Sequence, residues 1–283
     1  MPTGSSDIQS VDFQGFPVHY KEYNRHRSEI PLVYIGGAFQ NITRVEAISQ
    51  SLARERWVIT IDTPGNGATG VLPSNYGFDF ICEAVHHTLK VAGVAHINLL
   101  AGSYGSIVAL RYVQKYLGVD HLVLASAMSD LPDRLVYDFN LFLFLLEWDQ
   151  VEEFAQGFTD LMTNPDIRDS SPIHRTVAAK LKDALVTAPR GLLEQFIHNT
   201  RRILHDGKTD ITALPDITTT VIAGEHDQFV PLEANREVAQ AFRHGSLQVI
   251  HGADHMMHVQ KRKEFVRLVM DATEAHAAYQ MAG

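Results

Sequence analysis

Short apolar segments alternate with segments of helical spacing through the first half of this chain. The apolar segments lie at 31–37, 57–62, 96–102 and 121–127. Between them, apolar residues recur every three or four positions, as they do on one face of a helix. Strands that alternate with helices in this way form right-handed β-α-β units, whose sheet is parallel and covered by helices on both faces. The sequence therefore predicts an α/β protein with a mostly parallel central sheet, preceded by a β-hairpin at 8–24.

The alternation stops after residue 128. Residues 129–212 have helical periods without a convincing strand, and the strand pattern resumes at 217–227. A further strand is predicted at 246–252 and a last helix from about 258 to 277. We therefore expect one α/β core in two parts, 1–128 and 213–283, split by a helical cap insertion at 129–212.

Charge and cysteine content exclude several classes of protein. The chain has 24 Lys and Arg against 33 Asp and Glu, a net charge of −9, so a nucleic acid is not an expected partner. Its single cysteine, Cys82, leaves no internal disulfide and no multi-cysteine metal site. The chain shows no secretory signal, and the apolar run 141–146 is far shorter than the roughly 20 residues of a membrane span. A cytoplasmic protein without a membrane span is expected.

The segment Ile97–Ile107 is the most informative for chemistry. A buried strand passes into a helix through Ala101-Gly102-Ser103-Tyr104-Gly105. Small residues two positions before and two after a serine allow a sharp turn that exposes the hydroxyl at the N-terminus of the following helix. Ser103 is thus a candidate nucleophile. The alternative is a structural serine that caps the helix.

A serine nucleophile needs a base, and the base needs a carboxylate that orients it. Asp227 and His255 each follow a predicted strand, and the order Ser103, Asp227, His255 is the chain order of α/β-hydrolase triads. Asp254 is the alternative orienting carboxylate, but adjacent side chains seldom face each other. A metal site at His251, His255 and His258 is the weaker alternative, because the helix with two histidines flanking a glutamate is missing.

On these residues the chain resembles the α/β-hydrolase fold superfamily of serine esterases and thioesterases over nearly its whole length. The segment Asp62–Gly67 resembles that family's Asp-x-Pro-Gly-x-Gly turn. The resemblance implies that Ser103 is the nucleophile, His255 the general base and Asp227 its partner. Within the superfamily, the segments 223–242 and 249–260 resemble the 3-hydroxyacyl acyltransferases of rhamnolipid and polyhydroxyalkanoate precursor synthesis.

An oxyanion hole needs two backbone N–H groups where negative charge develops. One is expected from Tyr104, directly after the nucleophile. The other is expected from the loop 36–40, where glycines let the backbone approach the substrate. The family usually has His-Gly here and this chain has Gly-Gly, so Ala38 is the first choice and Phe39 the second. A plain tight turn is the alternative.

The cap is expected to set specificity. Its apolar side chains at 139–148 either line a pocket or form the cap's own core, and a pocket would favour a hydrophobic acyl group. Candidate substrate-binding residues are Gly37, Phe39, Phe142 and Leu146.

The sequence favours a serine hydrolase that cleaves an ester or thioester through an acyl-Ser103 intermediate, with no metal or organic cofactor. The alternatives are an acyltransferase that moves a 3-hydroxyacyl group from a thioester to an acceptor, and a non-catalytic binding protein on the same fold. The expected partner is a small-molecule ester or thioester, with a homodimer left open.

Overall fold

The computed structural model describes residues 7–280, with side chains described up to residue 274. Its central sheet has eight strands in the order β1-β2-β4-β3-β5-β6-β7-β8. The strands are β1 (Gln9–Phe13), β2 (Phe16–Tyr23), β3 (Leu32–Ile35), β4 (Val58–Asp62), β5 (Ile97–Gly102), β6 (Val119–Ala125), β7 (Thr218–Gly224) and β8 (His244–Ile250). The strands β1 and β2 form an antiparallel hairpin, and β2 joins β4 antiparallel. All other neighbours are parallel, so the predicted mostly parallel sheet is confirmed.

Helices cover both faces of this sheet. In the core they are α1 (Glu46–Leu52), α2 (Phe78–Val91), α3 (Tyr104–Lys115), α9 (Leu232–Ala241), α10 (Met257–Gln260) and α11 (Arg262–Gln280). Successive strand residues point to opposite faces. Leu99 accordingly packs in the cluster formed with α2, α3 and α9, whereas Leu100 packs in the cluster formed with α1 and α11. Burial on both sides explains why every residue of β3 and β4 is buried.

Five helices lie between β6 and β7. They are α4 (Asp133–Glu147), α5 (Val151–Met162), α6 (Pro165–Arg168), α7 (Pro172–Val186) and α8 (Arg190–Asp206). Their apolar side chains form a third hydrophobic cluster, separate from the two clusters of the sheet. This arrangement is compatible with the predicted cap insertion, whose boundaries at 129 and 212 stay a prediction.

The helix α4 divides its apolar residues between two sides. Phe139 and Phe142 are buried, whereas Leu141 and Phe144 are exposed, as is Trp148 directly after the helix. The apolar run in the sequence therefore does not lie wholly in a core or a pocket wall.

The predicted last helix is two helices in the structure. The chain leaves helical geometry at Lys261, between α10 and α11. A periodic apolar pattern continues across such a break, because α10 and α11 both bury residues against the same face of the sheet, among them Met257 and Phe265. Among the described residues, no helix combines the length and the apolar character that a membrane span requires.

Candidate active site

Ser103 lies at a sharp turn between β5 and α3. Its backbone has φ 49° and ψ −115°, a conformation that is strained for a residue with a side chain. The turn needs small neighbours: a Cβ atom at Gly105 would lie 2.7 Å from the carbonyl oxygens of Ile35 and Gly36. Ala101, where the family's motif has its first glycine, is fully buried in β5. The strained turn presents the Ser103 hydroxyl at the carboxyl end of the sheet.

His255 and Asp227 complete a chain of hydrogen bonds with Ser103. The Nε2 atom of His255 lies 3.1 Å from Oγ of Ser103, and its Nδ1 lies 2.8 Å from Oδ2 of Asp227. All three residues follow parallel strands, whose carboxyl ends meet at one edge of the sheet. With Nδ1 protonated and bound to Asp227, Nε2 is free to accept the proton of the serine hydroxyl.

The carboxylate of Asp227 is fully buried, and both of its oxygens accept hydrogen bonds. Its Oδ1 accepts hydrogen bonds from the backbone N–H groups of Phe229 and Val230, at 3.0 and 2.9 Å. Its Oδ2 accepts one from the Ser126 hydroxyl at 2.8 Å as well as the bond from His255. Four donors hold this carboxylate in place, with Oδ2 directed at the imidazole that it is suited to orient.

Asp254, the alternative orienting residue, faces elsewhere. Its Oδ1 accepts from the backbone N–H of Met256, and its Oδ2 is buried without a hydrogen-bond partner among the described residues. Burial raises the pKa of this carboxyl above its usual value. The structure thus brings Asp227, and not Asp254, to the ring of His255.

The loop after β3 passes close to the nucleophile. A Cβ atom at Gly37 would lie 3.2 Å from Cβ of Ser103. The Gly37 N–H is already bound to Oε1 of Gln40 at 2.8 Å, so it is not free to bind an oxyanion. The Tyr104 N–H, in the first residue of α3, has no acceptor within its own helix. Ala38 and Phe39 both line the cavity beside Ser103, and the choice between their amides stays a prediction.

A bridge from Gln40 to His258 was not foreseen from the sequence. The Nε2 atom of Gln40 lies 2.9 Å from Nε2 of His258, three residues after the base. Since Oε1 of Gln40 accepts from Gly37, its NH₂ group donates and the imidazole of His258 accepts. Burial in the cavity wall, with a smaller effect from His255, lowers the pKa of His258 to about 4. His258 is therefore neutral at pH 7 and suited to accept this bond.

A cavity of about 380 Å³ adjoins Ser103 and His255. Much of its wall is apolar and comes from the cap, including Phe139, Phe158, Met162, Leu181 and Phe196. Gly37 and Phe39 line it as expected, and the Phe39 ring stacks on Phe196 with ring centroids 4.8 Å apart. A cavity of this size accommodates a small ligand with a hydrophobic portion.

Phe142 and Leu146 lie elsewhere. Neither belongs to the described cavity lining, and both are buried in the cluster inside the cap. Phe142 contacts the rings of Phe154 and Phe158, so it supports the cavity wall from behind. Both side chains pack within the cap, so, contrary to the expectation from the sequence, they do not form part of the described cavity surface.

Arg202 on α8 joins the cap to the residue after the nucleophile. Its guanidinium is fully buried and donates to the Tyr104 hydroxyl at 3.0 Å and to Oδ1 of Asn199 at 2.5 Å. It also donates to the backbone carbonyl oxygens of Leu72, Pro73 and Tyr76. No sequence pattern pointed to this residue, because its partners outside α8 come from two distant segments, 72–76 and the start of α3.

The histidines considered for a metal site do not meet. His251 is exposed and lies 3.4 Å from Glu225, while His255 and His258 have the partners described above. In the described part of the chain, no group of three His, Cys, Asp or Glu side chains is arranged to hold a metal ion.

Comparison with known protein families gives a match over most of the chain. The family model of the alpha/beta hydrolase fold matches residues 30–262, a range that contains Ser103, Asp227 and His255. The chain belongs to the α/β-hydrolase fold family. Membership supports the prediction that this α/β hydrolase is an enzyme of the hydrolase class. No curated protein sequence matches it.

Several solved structures are similar to this α/β hydrolase. MGS-M2, an alpha/beta hydrolase enzyme from a Medee basin deep-sea metagenome library, is 18% identical, with a TM-score of 0.85 over 94% of this chain and 97% of that one. The enol-lactonase from Burkholderia xenovorans LB400 is 16% identical, with a TM-score of 0.78 over 94% and 99%. A thermophilic esterase from Thermogutta terrifontis is 18% identical, with a TM-score of 0.76 over 97% and 99%. At these identities the likeness establishes the fold.

Proposed function

We propose that this protein is a serine hydrolase that cleaves a carboxylic ester or thioester with a hydrophobic acyl group, through an acyl-Ser103 intermediate. The observation that carries the proposal is the continuous hydrogen-bonded chain from Ser103 through His255 to Asp227, placed at the wall of an apolar cavity. Two of the similar solved structures are named as an esterase and an enol-lactonase, and a lactone is a cyclic ester; both names are in line with this proposal.

In the first half-reaction, Oγ of Ser103 attacks the substrate carbonyl carbon while Nε2 of His255 takes the hydroxyl proton. The carbonyl oxygen becomes an oxyanion, which the N–H groups of Tyr104 and Ala38 stabilise. The intermediate then collapses: the bond to the alcohol or thiol breaks, and the leaving group receives the proton from His255. The acyl group remains on Ser103.

In the second half-reaction, a water molecule replaces the leaving group. His255 takes a proton from the water as it attacks the acyl carbon, and the second intermediate releases Ser103 with that proton restored to Oγ. The carboxylic acid leaves the cavity. Asp227 stays ionised throughout and stabilises the imidazolium in both steps.

The acyltransferase alternative shares the acyl-enzyme and differs only in what attacks it. With a 3-hydroxyacyl thioester as donor, hydrolysis gives the free acid even when a hydroxyacyl acceptor is added. A condensed ester or an exchanged thioester as the main product would replace our proposal by the transferase. Mass spectrometry of the products separates the two reactions.

The deciding kinetic experiment compares Ser103→Ala with the parent protein on 4-nitrophenyl esters of increasing chain length. Loss of the nucleophile is expected to lower kcat by several orders of magnitude, roughly 10⁶-fold in the subtilisin precedent. Ser51→Ala, which removes a hydroxyl bound only to the Ala47 carbonyl within α1, is the matched control and retains the parent rate. Equal rates in the Ser103→Ala and parent proteins would refute the proposal and favour a non-catalytic binding protein.

A further inference from the structure

Charged residues are few in the lining of the active-site cavity and unevenly placed. Among the described residues that line it, the charged side chains are Arg44, Arg262 and Asp130. Asp130 is already neutralised, because Nζ of Lys208 lies 2.5 Å from its carboxylate. Neither arginine has an ion-pair partner within the described part of the chain. Arg44 donates to the backbone carbonyl of Phe39 at 2.9 Å, and the Arg262 guanidinium has no hydrogen bond to a described residue. The lining therefore carries two unneutralised positive charges in a protein with net charge −9.

The two arginines belong to neighbouring segments. Arg44 follows Gln40 by four residues, and Arg262 follows His258 by four residues. The hydrogen bond between Gln40 and His258 holds those two segments side by side, and the helices that follow, α1 and α11, also contact each other. Arg44 thus lies on the segment that follows the loop 36–40, and Arg262 lies on the segment that follows His255 and His258.

The two arginines belong to the solvent-exposed part of the cavity lining. Both are exposed residues, whereas the aromatic lining from the cap, such as Phe158 and Phe196, is buried. A ligand that fills this space places its apolar part under the cap and any group near the arginines in contact with water. Guanidinium groups at such a position bind carboxylate or phosphate by charge-assisted hydrogen bonds.

We infer that Arg44 and Arg262 form an anion-binding subsite, so that the preferred substrate is an ester or thioester with a hydrophobic acyl group and a carboxylate or phosphate on its leaving-group side. This inference rests on the proposed function, which supplies the scissile bond between the two parts. A negative charge at that end adds binding without entering the apolar region, where an unpaired charge would be costly.

The test uses two matched substrate pairs with the same octanoyl group. One pair is 4-nitrophenyl octanoate and 3-carboxy-4-nitrophenyl octanoate; the other is S-ethyl octanethioate and octanoyl-coenzyme A. For each pair, kcat/KM of the anionic member is divided by that of the neutral member. In Arg44→Gln/Arg262→Gln this ratio is expected to fall about three- to tenfold in one pair or both, because exposed to partly buried ion pairs contribute on that scale. The pair that responds distinguishes carboxylate from phosphate.

Arg236→Gln is the control, since Arg236 is exposed on α9 and absent from the described cavity lining. Its ratios match those of the parent protein. A parallel arm measures dissociation constants of the same substrates in the Ser103→Ala background, with and without the arginine substitutions, so that binding is tested without turnover. Unchanged ratios and unchanged dissociation constants would overturn the subsite.

The two proposals fail in different ways. If the parent protein hydrolyses the neutral esters but neither the ratios nor the dissociation constants respond to the arginine substitutions, only the anion subsite is wrong. If no ester is hydrolysed, the proposed function is wrong, and the binding arm still decides whether the arginines recognise an anion.

Discussion

The side-chain amide of Gln40 connects the backbone of the loop 36–40, which we propose as the oxyanion loop, to the imidazole of His258, with 2.8 Å to the Gly37 nitrogen and 2.9 Å to Nε2 of His258. One amide thereby holds this loop against the helix that follows His255, the proposed general base. The two residues are 218 positions apart in the chain. Their contact fixes the distance between two parts of the site that must act together.

Gln40→Leu tests this bridge. The substitution keeps the size of the side chain but removes both hydrogen bonds, so the loop is expected to shift and kcat to fall roughly 10- to 100-fold with little change in KM. Gln50→Leu, on the exposed side of α1, is the control and keeps the parent kcat. Steady-state kinetics on one 4-nitrophenyl ester measures both. A Gln40→Leu enzyme with parent kcat would show that the bridge has no part in catalysis.

The neutral state of His258 predicts a dependence of stability on pH. Its pKa is about 4 in the folded protein and about 6.5 in the unfolded chain, so the unfolded state binds more protons between these values. This group therefore lowers the free energy of unfolding as the pH falls from about 6.5 to about 4. Asp62 acts in the opposite direction. Burial raises its pKa to about 6, so the folded state takes up a proton at a higher pH than the unfolded chain does.

Urea unfolding at several pH values separates the two groups. His258→Gln is expected to lose less stability than the parent protein between pH 7 and pH 4, and Asp62→Asn is expected to lose more. Identical slopes in His258→Gln and the parent would show that His258 is protonated alike in the folded and unfolded states.

The choice of orienting carboxylate predicts a ranking of two variants. Asp227→Asn is expected to lower kcat about 10³- to 10⁴-fold, since the corresponding change in a serine protease triad leaves the imidazole in the wrong tautomer. Asp254→Asn is expected to cost far less activity, because no hydrogen bond joins this carboxyl to the ring of His255. Kinetics with a single ester substrate decides the ranking. A larger loss in Asp254→Asn would contradict the roles assigned here.

The proposed triad residues could be found in the sequence because each lies shortly after the end of a strand, and because parallel strands end at the same edge of the sheet. Small residues around Ser103 gave a local signal that does not depend on the rest of the fold. Gln40 and His258 gave no such signal, since their contact depends on how α10 meets the oxyanion loop.

The cavity wall was harder to foresee. Phe142 and Phe158 are equally apolar residues of amphipathic cap helices, and the pattern cannot tell which one faces a cavity and which one faces another helix. The burial of Arg202 could not be predicted from the sequence. A buried arginine is stabilised by hydrogen-bond acceptors that come together only in the folded chain.

Arg202 provides a prediction about stability. Arg202→Ala leaves the Tyr104 hydroxyl and three backbone carbonyl oxygens without their donor, and it opens a cavity between α8 and the core. The free energy of unfolding is expected to fall by about 3–5 kcal/mol. Arg201→Ala, which removes an exposed ion pair with Glu147, is the matched control and costs about 1 kcal/mol or less. Equal effects of the two substitutions in urea unfolding would show that the buried network does not hold the cap.

The acyl-Ser103 intermediate is tested most directly by mass spectrometry of the intact protein, acid-quenched within milliseconds of mixing with excess 4-nitrophenyl octanoate. We expect a mass increase of one octanoyl group, mapped by peptide digestion to Ser103 and absent from Ser103→Ala. A fluorophosphonate is expected to label the same residue irreversibly, through attack by the hydroxyl that His255 activates. Turnover of the ester without any label at Ser103, or labelling at another residue with equal activity in Ser103→Ala, would contradict it.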